Sequence, residues 1–403
     1  MLRILLFTAS AVVYLASAVM ATIIQIPTQY TSIQKGINMS RDGDTVLVSP
    51  GVYFENISFR GHRIVLASRY LIEKNSDLIR STIIDGSRPP HPDSASVALF
   101  GSGEDSTTML YGFTLTNGIG TLVPGSFLGG GVLITANGSP TIKYNIIRGN
   151  SALVGGGIAI RYASATVSHN AIVSNDAGNG AGISIESSHA TISHNVFRNN
   201  SADTKGGALL IRTAYVDFIN NAVTGNFASI GGGLYCEGGL WSIEYCDFYG
   251  NVNGNFSGCD GGGLGDNRKH RNFNLDSADI FQNIFIAPQY VNPAAFDFSL
   301  ACTSRLIDAG SSLPEAFPVG GAREDIGMFE YTYRSGDLNS DGRINLVDAT
   351  ILVNIIFSDS PVPCPLYVAD CDCNRRVSIA DLIALLNYWL GIAETDCLFN
   401  PTQ

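Results

Sequence analysis

The sequence predicts a mainly β chain, a parallel β-helix solenoid, that ends in a small all-α calcium-binding loop-helix module. Three observations carry this reading. A glycine marker returns at a nearly fixed spacing through the middle of the chain, short alternating apolar runs lie between the markers, and two acidic loops stand in tandem near the C-terminus.

At the N-terminus, Arg3 precedes an apolar run from Ile4 to Ala18, with small residues at Ala16, Ser17, Ala18 and Ala21. This pattern reads as a secretory signal peptide over residues 1–21 and predicts export. No later apolar stretch reaches the roughly 18–20 residues that a membrane span needs. The 24 basic and 35 acidic residues leave a net charge of −11, which argues against a nucleic-acid partner. From Gly336 onward three basic residues face nine acidic ones, so much of the excess sits in the tail and calls for a counter-ion. Export makes disulfides the expected state of the eight cysteines, at 236, 246, 259, 302, 364, 371, 373 and 397. Cys371-Asp-Cys373 is one residue short of a CxxC motif and no His follows, which weakens a metal or redox reading.

The repeat is the strongest signal. Glycine clusters end at Gly131, Gly157, Gly182, Ala208 and Gly233, spaced 26, 25, 26 and 25 residues apart. Asn145, Asn170, Asn195 and Asn221 keep the same beat, and Asn150, Asn175, Asn200, Asn226 and Asn251 form a second series five residues on. Such periodicity marks a solenoid. Between markers the apolar residues alternate as in strands, which stacks Ile142, Val167, Ile192, Phe218 and Ile243 in one column and Ile147, Ile172, Phe197, Val223 and Phe248 in another. Three short strands per turn, rich in β-branched residues and without a helical spacer, predict a parallel β-helix. The asparagines are expected at turns, where they accept left-handed backbone angles and bond to the equivalent amide one rung away. No Lys-Ser or Lys-Thr follows the glycines, so they are not a phosphate cradle.

Several stretches resemble a known superfamily. "YTSIQKGINMSRDGDTVLVSPGVYFENISF" (30–59) is similar to the first turn and cap of secreted right-handed parallel β-helix proteins of the pectin-lyase-like superfamily. "SPTIKYNIIRGNSALVGGGIAI" (139–160) resembles their commonest rung, and "SRLIDAGSS…REDIGMFEY" (304–330) the segment that closes many of them. The likeness covers most of residues 22–334 and implies a right-handed helix. It leaves the reaction open, because lyases, hydrolases, epimerases and non-catalytic adhesins share this fold.

Four residues beyond successive glycine markers stand Arg161, Glu186, Arg212 and Glu237, whose signs alternate. Residues one turn apart project side by side from adjacent rungs, and alternation is what a surface ladder needs to avoid like-charge repulsion. The sharper alternative is a substrate-binding strip in which Arg161 and Arg212 reach uronate carboxylates. The column Tyr144, His169, His194, Asn220 and Tyr245 offers stacking or proton transfer, although its histidines also suit turns. The sequence supplies no adjacent Asp pair or Gly-His-Gly of the polygalacturonase kind, and catalytic residues are not assigned. Insertions at 118–128 and 251–262, the latter with Cys259 and Asp260, break the period and are the expected places for binding residues.

In the tail, "GDLNSDGRINLVDATILVNIIF" (336–357) places Asp337, Asn339 and Asp341 at positions 1, 3 and 5 of a twelve-residue loop, with Gly342 at 6 and Asp348 at 12. Thirty-three residues later "DCDCNRRVSIAD" repeats the spacing with Asp370, Asp372, Asn374 and Asp381. A short amphipathic helix is expected after each loop, at 348–357 and 381–390, and none before. Two loop-helix units of this length with Asp at position 12 resemble a type I dockerin, the secreted module that attaches proteins to cohesins on a scaffold. The resemblance implies two Ca²⁺ ions, one held by Asp337, Asn339, Asp341, the Arg343 carbonyl and Asp348, the other by Asp370, Asp372, Asn374, the Arg376 carbonyl and Asp381. Arg375 departs from the pattern, since it stands where the sharp turn calls for glycine. Positions 10 and 11 are apolar, Leu346-Val347 and Ile379-Ala380, where dockerins often carry polar contacts to cohesin.

The expected organisation is therefore a signal peptide at 1–21, a right-handed parallel β-helix at 22–334 and a dockerin-like module at 335–397. The expected function is binding or processing an extracellular polysaccharide while tethered to a scaffold, with a cohesin or other scaffold protein as the tail's partner. The alternative is a non-catalytic structural or adhesive surface protein.

Overall fold

The computed structural model describes residues 21–312, 323–333, 335–339, 341–358, 361, 366–372, 374 and 376–392. Residues 1–20 of the expected signal peptide lie outside these residues, as do Cys364, Cys373, Arg375 and Cys397. Residues 22 to 257 form a mainly β solenoid of parallel rungs, and the strand pairs beyond it, His270–Arg271 with Ser277–Ala278 and Tyr290–Asn292 with Asp297–Leu300, are antiparallel. Each regular turn holds four short strands rather than the three expected. One turn runs through Ile158–Arg161, Ser164–Ser168, Ala171–Val173 and Asp176–Asn179. Each strand pairs in parallel with its equivalent in the next turn, as in Ile158↔Ile183, Val167↔Ile192, Ile172↔Phe197 and Asp176↔Ser201. In Leu209–Ile219 and Leu234–Glu244 the first two strands fuse into one of eleven residues, so the four faces hydrogen-bond as sheets of fifteen, eight and seven strands.

The extra strand follows from the backbone. Each turn has four corners, and each corner carries one residue with left-handed φ. Tyr162, Ser187, Thr213 and Gly238 stack at the first corner, His169, His194 and Asn220 at the second, Ser174, Asn199 and Gly225 at the third, and Gly155, Gly180, Gly206 and Gly231 at the fourth. Only the fourth repeats a single residue type. There glycine is required, because a Cβ on Gly155 would lie 2.4 Å from the Ile158 carbonyl oxygen.

The asparagine ladders differ from expectation in one respect. Their members follow the left-handed residue and do not occupy it, so their side chains turn inward and are buried, apart from the half-buried Asn251 at the end of the second ladder. Asn170 Nδ2 donates to Asn195 Oδ1 at 3.0 Å and to the carbonyls of Ile142 and Ser168, both at 2.9 Å. The second ladder continues from Asn150 through Asn175, Asn200 and Asn226 to Asn251, with amide contacts of 2.9–3.1 Å. Where the first ladder reaches its last full rung, Cys246 takes the asparagine slot. Its Sγ accepts from Asn221 N–H at 3.3 Å, and its own N–H donates to Asn283 Oδ1 at 2.9 Å. Cys246 and Cys371 are thus buried thiols, contrary to the expectation of disulfides throughout, whereas Cys236 bonds Cys259 and Cys302 is disulfide-bonded.

Both predicted apolar columns fill the interior, none of their ten side chains being more than 2% exposed. Burial of each contributes roughly 1.5–3 kcal/mol against leaving it in water. The helix Ile33–Met39, N-capped by Ser32, buries Ile33 and Ile37 over the first turn. At the other end the chain doubles back. Phe298, Leu300, Leu306, Ile307, Ile326 and Met328 pack from outside against Ile146, Ala171, Val196 and Ala222, forming a second apolar core along the solenoid's flank.

The two C-terminal helices span Leu346–Phe357 and Ile379–Trp389, starting two residues before the expected positions. Asn345 and Ser378 cap them, accepting from Val347 N–H at 2.8 Å and Ala380 N–H at 3.2 Å. Ala349, Leu352, Ala384 and Leu385 form their shared core.

Candidate functional site

The two acidic loops fold alike. Asp337 accepts from the N–H groups of Asp341 and Gly342 at 3.0 and 2.8 Å, and Gly342, with φ of 81°, makes the sharp turn. Asp370 likewise accepts from Asn374 N–H at 3.0 Å. Asp348 accepts from Leu338 N–H and Asn345 N–H, both at 2.9 Å, and Asp381 from Asp372 N–H at 3.2 Å and Ser378 N–H at 2.7 Å. The residue at position 12 therefore closes its loop and completes the capping box of the helix that follows. Arg343 and Arg376 donate their N–H groups to Asp341 Oδ1 at 2.8 Å and Asn374 Oδ1 at 2.9 Å. Among the described residues, Asp370, Asp372 and Asp381 each aim a carboxylate oxygen at a common point, all within 4.8 Å of one another. Asp370 and Asp381 are buried and Asp372 is exposed, and such hard oxygen donors at the protein surface fit a cation of the calcium type.

On the solenoid, Arg161, Glu186, Arg212 and Glu237 stand in register across four adjacent strands. Arg161 Nε lies 3.4 Å from Glu186 Oε2 and Arg212 Nε 3.1 Å from Glu237 Oε2, which Lys205 also approaches at 3.8 Å. Each arginine is thus neutralised by a neighbour one rung away. The residues just beyond this ladder turn the first corner, where a groove of about 480 Å³ runs across the rungs. Tyr162 and Tyr215 stand on it 54% and 58% exposed, with Ser187 and His189 on the rung between them and Asn137 and Thr213 also in the lining. Arg161 lies over the Tyr162 ring at 5.3 Å, and His189 meets Tyr215 edge-on at 6.4 Å.

The groove leads toward a second cavity, of about 540 Å³, lined by the strand Gly238 to Glu244 and by Gly258, Asp260, Gly261 and Phe281. Residues of the 251–262 insertion form one wall, and the Cys236–Cys259 disulfide ties that wall to the last complete rung. The 118–128 insertion instead makes an antiparallel pair, Gly120–Val123 with Ser126–Leu128, that extends the fourth face. Sequence reasoning pointed to the 251–262 loop but missed Tyr162, Tyr215 and Trp241. The signal available for the tyrosines was their place immediately after or just beyond the charged column.

The second-corner column is not an open surface. Tyr144, His169 and His194 stack at centroid distances of 4.8 and 4.7 Å under the returning segment. His194 Nε2 lies 3.3 Å from Glu324 Oε2, and Asn220 Oδ1 accepts from Ser311 N–H at 2.9 Å. Burial, with the adjacent His194 and Lys143 charges, pushes His169 down to about 3, so its imidazole is neutral at ordinary pH. The chain's own closing segment covers the histidines.

The family model for the right-handed β-helix region matches residues 72–252 and, in an overlapping match, 130–283, together more than half the chain. The chain belongs to the right-handed β-helix family. This β-helix protein also matches the type I dockerin domain at residues 335–390. Type I dockerins bind calcium, and the module implies tethering to a cohesin-bearing scaffold. No curated protein matches the chain. Among solved structures the β-helix protein is similar to a pectate lyase, Pel9A, at 13% identity over 77% of this chain and 96% of that one, with a TM-score of 0.30. Among the described residues no helix is long and apolar enough to cross a membrane.

Proposed function

We propose that the β-helix, taken as residues 22–334, binds an extracellular polysaccharide along the first-corner groove, while a dockerin at 335–397 holds the protein to its scaffold. The observation that carries this reading is the pair of exposed tyrosines, Tyr162 and Tyr215, set two rungs apart over a floor of hydroxyl and amide side chains. Aromatic faces stack on the apolar faces of sugars, and the polar groups between them match ring hydroxyls. Successive rungs, about 4.8 Å apart, each add side chains to the groove, so it can run alongside an extended polymer. Along the groove itself the adjoining charge ladder suits binding, because its two carboxylates, Glu186 and Glu237, are each engaged by an arginine. A glycosidase needs one carboxyl group free to give or take a proton.

In the tail, two Ca²⁺ ions are assigned, one to Asp337, Asn339, Asp341, the Arg343 carbonyl and Asp348, the other to Asp370, Asp372, Asn374, the Arg376 carbonyl and Asp381. Calcium neutralises the clustered carboxylates and ties each loop to its helix.

Affinity electrophoresis in gels containing soluble polysaccharides tests the groove. The native protein is expected to be retarded by at least one of them. The double variant Tyr162→Ala, Tyr215→Ala should bind at least tenfold more weakly, about 1.4 kcal/mol. Unchanged retardation of the double variant overturns the assignment of the groove.

A further inference from the structure

We infer that the cavity beyond the groove is a subsite for a neutral sugar ring, an inference that rests on the groove being the saccharide track. Tyr215 of the groove stands in register beside Leu240, and the cavity opens on that next rung. Its volume of about 540 Å³ lies within the roughly 300–1,000 Å³ of small-molecule sites.

Three features set the chemistry of its occupant. The half-buried indole of Trp241 lines the cavity, and glycine at 261 keeps its edge uncovered, since a Cβ there would come within 2.8 Å of the ring. Two carboxylates, Glu244 and Asp260, face the same space with no Lys, Arg or His in the lining, and Ser242 Oγ donates to Glu244 at 2.7 Å. Such a lining accepts hydrogen bonds from hydroxyls and repels uronate or sulfate groups. Finally, among the described residues the strand edge from Gly239 onward pairs on one side only. Ala214 to Ile219 lie along it, but Phe256–Ser257 pairs no farther than Leu234 and Tyr235. Asn283 Nδ2 covers the Ile243 carbonyl at 2.9 Å, and the rest of the edge offers backbone N–H and C=O groups to the cavity. An aromatic face, anionic acceptors and alternating backbone donors and acceptors together suit an uncharged, hydroxyl-rich ring.

The protein has two tryptophans, Trp241 and Trp389. Trp389 lies on the second C-terminal helix, so in a Trp389→Phe variant the emission reports on the cavity alone. That variant is titrated with neutral hexasaccharides (xylo-, cello-, manno- and galacto-) and with hexagalacturonate. At least one neutral hexasaccharide should shift or quench the emission saturably, with hexagalacturonate at least tenfold weaker. In the same background Asp260→Lys should narrow or reverse that preference. If hexagalacturonate binds as tightly as any neutral sugar, the inference falls. If no neutral hexasaccharide changes the emission while the tyrosine variant still loses polysaccharide retention, the cavity assignment falls and the groove stands. Loss of both removes the groove and the cavity together.

Discussion

Asn170 shows how much a single side chain holds in this fold. Its amide donates to three buried acceptors, and its Oδ1 accepts from both Asn145 N–H, at 2.9 Å, and Asn145 Nδ2, at 3.1 Å. Asn170→Ala strands these partners away from water, at roughly 1–3 kcal/mol for each group left unsatisfied. A loss on the order of 4 kcal/mol is expected, read as a lower midpoint in urea unfolding; a change below about 1 kcal/mol would show that the ladder is decoration. The ladders were legible in the sequence because asparagine is the side chain that bridges rungs in this way. The first corner was not, since Tyr162, Ser187, Thr213 and Gly238 share a backbone angle and no side-chain chemistry. That is why three strands were expected where four form, and why the tyrosines of the groove went unnoticed.

At the scale of the element, one residue of each loop-helix unit would couple a bound calcium to the helix that follows. Asp381 completes the capping box of Ile379–Trp389 and also joins the carboxylate cluster of its loop. Asp381→Asn keeps an acceptor for the cap and removes one negative charge from the site, whereas Asp381→Ala removes both. Calorimetric titration of the full chain should show calcium affinity at the second loop falling at least tenfold in either variant, with the 222 nm helical signal preserved better in Asn than in Ala. Equal affinity in all three proteins would exclude Asp381 as a ligand. The loops were readable in advance because calcium demands oxygen donors at fixed positions along twelve residues. The helix starts were two residues out because Asn345 and Ser378 act as caps ahead of the aspartates. The cavity beside Trp241 could not be read at all, for its wall depends on which cysteine Cys259 finds, and spacing does not reveal the pairing.

At the scale of the whole molecule, the returning segment clasps the solenoid through titratable groups that oppose one another. Burial, reinforced by Glu330, holds the Asp325 carboxyl well above its ordinary range, and Glu330 is raised for the same first reason. A raised carboxyl contributes stability that is full below the unfolded value, about 4, and is lost as pH climbs through the folded one. His169, pushed down to about 3, acts in the other direction. Its contribution is full above the unfolded value near 6.5 and drains away as pH falls toward 3. The thermal midpoint of the solenoid should therefore peak at intermediate pH. His169→Asn, which copies the Asn220 already present in that column, should flatten the acid limb, and Asp325→Asn the alkaline one. An unchanged acid limb in His169→Asn would place the titrating group elsewhere. The four left-handed corners carry a last implication for size. Because every turn repeats the same hinges and bonds only to its two neighbours, a further copy of about twenty-five residues spliced between existing turns would lengthen the barrel by one step without redesigning either cap. The span of polymer it could hold would grow in proportion, so reach in this molecule is set by counting turns.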